Sequence, residues 1–84
     1  MVEEPHADAY LDCRGYSCPG PVFMIKEKMD TLASGQVLKA DADDPAAEED
    51  VTRWAKRTGH DILSIGKTGR TVTFYIRKGK EVAK

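Results

Sequence analysis

The stretch LDCRGYSCPGP, residues 11–21, marks the point where the apolar pattern of the chain changes from the period of a strand to the period of a helix. Before this point, Ala9, Leu11 and Cys13 alternate with Tyr10 and Asp12, which predicts a short strand. From Pro21 onward the apolar residues recur at helical spacing, at positions 22, 25, 29 and 32. The stretch therefore predicts a strand, a turn at residues 14–17 and a helix that ends at Ser34-Gly35.

The rest of the chain adds one more helix and three more strands. Val37–Ala42 alternates as a strand, and Asp44-Pro45 suits the start of a helix, with Asp as the N-cap and Pro in the first position. Gly59 is expected to end that helix, whose inner stripe comprises Ala47, Val51, Trp54, Ala55 and Thr58. Residues 62–65 and 71–76 predict two strands, and residues 66–70 predict the hairpin connection between them.

The predicted order is strand, helix, strand, helix, strand, strand. Right-handed crossovers would place both helices on the same face of the sheet. We therefore expect an α/β fold, a two-layer sandwich with βαβαββ order and a mixed four-stranded sheet, its other face partly solvated. The 84 residues allow one domain, residues 1–84, with an ordered core of about residues 9–77 and flexible tails at both ends.

The overall charge argues against a nucleic-acid-binding protein. Thirteen basic and 14 acidic residues leave a formal net charge of −1, whereas such proteins usually carry a strong basic excess. No apolar run approaches the roughly 20 residues that span a bilayer, and residues 1–8 do not form the core of a signal peptide. These features predict a cytoplasmic location, without membrane binding, in which cysteine thiols stay reduced.

Cys18 is the candidate reactive residue. Pro19 and Pro21 would fix the backbone at the start of the first helix, where free amides and the helix dipole stabilise a thiolate. Arg14 could add to this effect if its side chain folds back. A lone cysteine is often a small buried hydrophobic residue, but Cys18 lies in a turn, outside both apolar stripes. Cys13 is in phase with the first strand, so core packing is its expected role.

Other potential sites have simpler explanations. Two cysteines with only the distant His6 and His60 make a poor zinc site, so no metal is expected. Gly66 and Gly69 lack the spacing of a phosphate-binding loop and fit a hairpin. Trp54 lies on the inner stripe of its helix and is expected to be part of the core.

Two blocks of sequence resemble the TusA (SirA-like) family of sulfur carriers. The first is residues 11–21, with an Arg-Gly turn at Arg14-Gly15 followed by Cys-Pro-x-Pro at residues 18–21. The second consists of Asp43-Asp44-Pro45, Asp50-Val51, Trp54 and Gly59-His60. The resemblance runs from about Tyr10 to Arg77. The chain departs from the usual pattern at Gly20, where a side chain is common, and at Tyr16, where leucine is common.

The resemblance implies a fold like that of the C-terminal domain of translation initiation factor three and a function as a sulfurtransferase. Cys18 would be the catalytic residue that carries a persulfide or thiosulfonate sulfur, supported by Pro19, Pro21, Arg14 and Gly15. No cofactor is expected. A cysteine desulfurase or rhodanese would donate the sulfur, and a DsrE-type protein or another acceptor would receive it. The sulfur would serve tRNA thiolation, cofactor synthesis or sulfur oxidation, without tight direct binding of nucleic acid.

Two alternatives to a sulfur carrier remain open from the sequence. One is a non-catalytic regulatory or interaction domain of the same fold. The other is a dithiol redox protein that uses Cys13 and Cys18, although four residues separate these cysteines instead of the two of Cys-x-x-Cys.

Overall fold

The computed structural model describes residues 7–16 and 20–79, and it contains the predicted elements in the predicted order. They are β1 (Ala9–Asp12), α1 (Gly20–Met29), β2 (Val37–Ala42), α2 (Ala47–Thr58), β3 (Asp61–Thr68) and β4 (Thr71–Arg77). The bounds of β2 are those expected from its alternating residues.

The four strands form one mixed sheet in the order β1-β2-β4-β3. The pair β1 and β2 is parallel, with Leu11 opposite Ala40. Strand β4 is antiparallel to both of its neighbours, β2 and β3. The parallel pair places the ends of β1 and β2 at the same edge of the sheet, and this edge carries the turn that leads to Cys18.

Both helices pack on one face of the sheet, which confirms the two-layer α/β sandwich. The alternating residues Leu38, Ala40 and Ala42 of β2 are fully buried beneath them. The helices and the other strands contribute the buried side chains of Ile25, Met29, Ala47, Val51, Trp54, Ala55, Phe74 and Ile76. The inner stripe predicted for α2 is confirmed, with Thr58 at its partly buried end.

Helix α1 ends five residues earlier than expected. The amides of Thr31 and Leu32 bond to carbonyls three residues back, and the Thr31 hydroxyl donates to the Lys28 carbonyl at 2.6 Å. Hydrogen bonds to carbonyls three residues back, together with the bond from the Thr31 hydroxyl, replace the four-residue spacing of an α-helix. Helix α1 therefore ends at Met29. Leu32 packs against the core from the following turn. Gly35 adopts φ 91° within the turn closed by Gln36, so it does not cap the helix itself.

Asp44-Pro45 precedes α2 by one turn and does not form its first residues. The Asp44 carbonyl accepts the amide of Ala47, and its carboxylate accepts the amide of Ala46 at 3.3 Å. The N-cap is Ala46, without a side-chain bond, so the predicted Asp44 cap is wrong by two residues. At the other end, Gly59 caps the helix with φ 83°, as predicted.

The hairpin between β3 and β4 is tighter than expected. Residues 66–68 belong to β3, and only Gly69 and Arg70 connect the strands. Gly69 has φ 60°, which the first residue of a two-residue type II′ connection requires. Residues 66–68, which the sequence indicated as part of a loop, therefore pair with β4. They can do so because a two-residue turn is long enough to join two antiparallel strands.

Hydrogen bonds hold the chain just outside β1 and β4. The amide of Asp8 donates to the Val37 carbonyl, and the Lys78 amide donates to the Gln36 carbonyl. The Gly79 amide donates to Nδ1 of His60 at 3.0 Å. Residues 8, 78 and 79 are therefore hydrogen-bonded to the rest of the fold. The greater part of both predicted tails lies outside the described residues, and the predicted core of about residues 9–77 stays a prediction.

The sheet face opposite the helices is better covered than expected. Tyr75 lies on this face, yet only 6% of it is exposed. The Lys39 ammonium lies 5.8 Å from the centre of the Tyr75 ring and 5.9 Å from that of Tyr10. Asp41 accepts hydrogen bonds from the hydroxyls of Tyr10 at 2.7 Å and Thr73 at 2.6 Å. This polar and aromatic layer raises the pKa of Tyr10, chiefly through its bond to Asp41.

Candidate functional site: the turn between β1 and α1

The candidate site is the segment that joins the end of β1 to the start of α1. Cys18 and Pro19 lie outside the described residues, whereas Arg14, Gly15 and Pro21 lie within them. After β1 the chain turns at Arg14-Gly15, and the amide of Tyr16 donates to the Cys13 carbonyl at 3.3 Å. Gly15 has φ 90°, which explains the need for glycine at this point of the turn.

Arg14 pairs with Asp12 across the start of the turn. Its Nε lies 2.9 Å from Oδ1 and its Nη2 3.1 Å from Oδ2, while the Arg14 amide also donates to Oδ1 at 3.0 Å. Hydrogen bonding to Arg14 lowers the pKa of Asp12, and the carboxylate raises the pKa of Arg14. Arg14 thus has a carboxylate partner in the turn. Its predicted contribution to the Cys18 thiolate involves a residue outside the described ranges and stays a prediction.

A second carboxylate reaches the same turn from another element. Oδ1 of Asp43, which directly follows β2, accepts the amide of Gly15 at 3.0 Å. This bond joins the two blocks of sequence that carry the family resemblance. Sequence reasoning did not connect these residues, although parallel pairing of β1 and β2 would have placed them at one edge of the sheet.

The start of α1 is well suited to stabilise a nearby anion. The helix begins at Gly20, and Pro21, Ile25 and Met29 form its buried face. Its first turn contains no acidic residue, whereas the first turn of α2 contains Glu48, Glu49 and Asp50. The positive end of the α1 dipole is therefore not neutralised by its own side chains.

Gly20 is not required by close packing. A Cβ atom at this position would lie 3.6 Å from the Cβ of Tyr16, which is an ordinary contact. A residue with a side chain could therefore be accommodated at position 20, and close packing does not explain the glycine found there.

Cys13 is part of the core, as its strand position predicted. Its side chain is fully buried, and its amide donates to the Asp41 carbonyl at 2.7 Å. Burial, with smaller contributions from Asp12 and Asp41, raises the pKa of the Cys13 thiol to about 11. At neutral pH this thiol is protonated and inaccessible, so it is a poor nucleophile.

The remaining sequence candidates have structural roles within the described residues. His60 accepts the Gly79 amide, and its ring centre lies 5.0 Å from that of Trp54. Residues 7–16 and 20–79 hold no group of three or more His, Cys, Asp or Glu side chains that could bind a metal ion. No helix in these ranges is long and apolar enough to cross a membrane.

Comparison with solved structures identifies the class of fold. A SirA-like protein from Desulfitobacterium hafniense superposes with a TM-score of 0.74 and 22% sequence identity. The match covers 86% of this chain and 99% of that one. The fold is therefore that of the SirA-like proteins.

Sequence comparisons identify the family. The profile of the family described as Sulfurtransferase TusA matches residues 9–78. The protein YrkI of Bacillus subtilis is 41% identical over 73 residues, which is 87% of this chain and 97% of YrkI. The sulfur carrier protein TusA of Pseudomonas putida F1 is 37% identical over 71 residues, 84% of this chain and 89% of that protein. Two further relatives are longer, and the match covers about two fifths of their length. The chain belongs to the TusA family of sulfur carriers.

Proposed function

We propose that this protein is a sulfurtransferase that holds a sulfane sulfur on Cys18 and relays it between partner proteins. The observation that carries the proposal is the match of residues 9–78 to the TusA family, which includes the Cys-Pro-x-Pro motif. The described flanks support it. Two carboxylates hold the turn before Cys18, and the helix after it begins without an acidic residue.

The proposed transfer needs no external oxidant or reductant. The Cys18 thiolate attacks the outer sulfur of a donor persulfide, R–S–SH. An S–S bond forms on Cys18 as the donor S–S bond breaks, and the donor leaves as the thiolate R–S⁻. The proton stays on the transferred sulfur. In the second step an acceptor thiolate attacks that same sulfur, and Cys18 leaves as the thiolate.

The position of Cys18 predicts an acidic thiol. Only Pro19 separates Cys18 in sequence from the start of α1 at Gly20, and the first turn of that helix contains no acidic residue. The positive end of the helix dipole favours a thiolate, so the pKa of the Cys18 thiol should lie below the free value of about 8.5. The rate of alkylation by iodoacetamide, measured against pH with the modified peptide identified by mass, would report this value. A midpoint at or above the free-cysteine value would contradict the electrostatic part of the proposal.

Proteins supply and receive the sulfur in the proposed relay. A cysteine desulfurase or rhodanese would load Cys18, and a DsrE-type protein would accept the sulfur for tRNA thiolation, cofactor synthesis or sulfur oxidation in the cytoplasm. An exposed aromatic side chain precedes Cys18 in the sequence, and another follows it. Tyr16 is 54% exposed before it, and Phe23 is 61% exposed on α1 after it. Such side chains are typical of protein contact surfaces.

Replacing Phe23 by alanine is therefore expected to slow loading from a protein donor by about tenfold, since a buried aromatic contact at an interface contributes more than 1 kcal/mol. Loading from glutathione persulfide, which is too small to use this contact, should not change. Both rates can be followed by intact-mass spectrometry, with a persulfidated cysteine desulfurase as the protein donor. Leu63→Ala is the matched control, because Leu63 is an exposed apolar residue on β3. Equal rates from both donors in Phe23→Ala would contradict this role.

Intact-mass analysis of the wild type tests the main proposal. Incubation with glutathione persulfide should add the mass of one sulfur atom, and a reductant should remove it. Failure to load would favour a non-catalytic interaction domain of the same fold. The dithiol alternative is disfavoured, because Cys13 is fully buried and burial raises the pKa of its thiol to about 11.

A further inference from the structure

A groove runs between the two helices of the fold. Helices α1 and α2 contact each other, and the groove between them has a volume of about 290 Å³. Its lining combines apolar and charged side chains, which are those of Val22 and Phe23 from α1 and of Asp50, Arg53, Trp54 and Arg57 from α2. The groove therefore offers both an apolar surface and charged groups to a molecule that binds there.

The apolar part of the groove has a buried floor and one exposed ring. Trp54 is 5% exposed and belongs to the core, and Val22 packs against that core. Phe23 has the largest exposed fraction among the large apolar side chains of the described residues. An apolar side chain that packed on this ring would release the water around it, which favours binding. Phe23 is therefore the main apolar surface that the groove can offer to another molecule.

The two guanidinium groups of the groove differ in whether they have a partner. Nη1 of Arg53 lies 3.4 Å from Oδ1 of Asp50, three residues earlier on the helix. The guanidinium of Arg57 is exposed, and no ion pair or hydrogen bond within residues 7–16 and 20–79 engages it. A planar guanidinium matches the two oxygens of a carboxylate. The groove thus contains a cation that can pair with a carboxylate from another molecule.

We propose that this groove is the docking site for a partner protein of the relay whose surface carries a carboxylate next to an apolar side chain. The inference rests on the function proposed above and names the chemistry of the partner. The apolar side chain packs on Phe23, and the carboxylate pairs with Arg57. Aromatic and arginine side chains are enriched among the residues that contribute most to binding at protein interfaces.

The charge of Arg57 would also select among partners. A partner with a basic side chain at this position would place two like charges together, which opposes binding. An exposed ion pair contributes little to stability, but a carboxylate enclosed in an interface without its cation is costly. Loss of the Arg57 side chain should therefore weaken binding more than loss of an equal charge elsewhere on the surface.

The experiment measures the Kd between this protein and an unmodified cysteine desulfurase by isothermal titration calorimetry. We expect Arg57→Ala and Phe23→Ala each to raise the Kd about tenfold or more, because each removes a central contact of the groove. Arg57→Lys keeps the positive charge but loses the planar pair of donors, so it should raise the Kd by less than Arg57→Ala. Circular dichroism would establish that each variant is folded.

Lys56→Ala is the matched control for Arg57→Ala. Lys56 is the exposed neighbour of Arg57 on α2, but it lines a different groove on that helix, together with Glu49 and Thr52. Both variants lose one positive charge, so the general electrostatic attraction to an acidic partner falls by a similar amount in each. Lys56→Ala should change the Kd by less than about twofold, since it leaves the groove between the helices intact.

Three results would overturn the inference. They are a Kd of Arg57→Ala equal to that of the wild type, an equal increase in Lys56→Ala and Arg57→Ala, and the absence of any binding by the wild type. Binding does not require sulfur transfer, so this test is separate from loading with glutathione persulfide. Loading of the wild type with a Kd insensitive to Arg57→Ala would remove the docking site and keep the proposed function. Loss of binding in Arg57→Ala, with no loading of the wild type, would do the reverse.

Discussion

Replacing Cys18 by serine is expected to abolish sulfur loading, which is the largest effect predicted for this protein. A serine hydroxyl is not ionised at neutral pH and cannot form the S–S bond that holds the cargo. Incubation with glutathione persulfide should add one sulfur atom to the wild type and none to Cys18→Ser, as measured by intact mass. Peptide mapping of the loaded wild type should place the sulfur on Cys18.

Cys13→Ser is the matched control for this experiment. It should still load, because the buried Cys13 thiol is not the predicted nucleophile. A hydroxyl among the apolar side chains of the core should nevertheless lower the free energy of unfolding by about 1–3 kcal/mol. Loading of Cys18→Ser on Cys13 would contradict the assignment. Equal loss of loading in both variants, with both folded, would instead support a dithiol mechanism.

Replacing Ile25 by alanine is expected to give the largest loss of stability. Ile25 is fully buried on the inner face of α1 and belongs to the core cluster beneath both helices. Removing its side chain loses apolar burial and leaves a cavity, so the free energy of unfolding should fall by about 2–5 kcal/mol. A denaturant titration followed by circular dichroism would measure the change.

Phe23→Ala provides the comparison on the same helix. Phe23 is larger than Ile25 but 61% exposed, so its truncation should change stability by about 0.5 kcal/mol or less. If burial determines stability here, the smaller side chain will have the larger effect. Similar stability of Ile25→Ala and the wild type would mean that α1 packs through another face.

Apolar periodicity was sufficient to predict the packing faces of the elements. Leu38, Ala40 and Ala42 are fully buried on one side of β2, and Val51, Trp54 and Ala55 are buried on one side of α2. These predictions succeeded because a side chain's face depends on its position within one regular element. Cys13 was placed in the core by the same reasoning.

The ends of the elements were harder to predict, because they depend on competition between local hydrogen bonds. Thr31 turns the chain away from α1 before the apolar spacing ends, and Asp44 closes a turn before α2 begins. Pairing with β4 extends β3 through Gly66, Lys67 and Thr68, residues that resemble a loop when considered alone. A residue can form a turn or continue an element, and its neighbours in space decide between the two.

The sequence by itself determined the order of the elements, their buried faces and the family to which the motif at residues 14–21 belongs. It also singled out Cys18, since a cysteine between an Arg-Gly turn and a proline-rich helix start is a local pattern. Only the tertiary structure decided that Arg14 pairs with Asp12, that Tyr75 is covered by Lys39, and that Asp43 holds Gly15. The last two contacts join residues far apart in the chain. They depend on the strand order β1-β2-β4-β3, which many distant pairings determine together and no single segment of sequence contains.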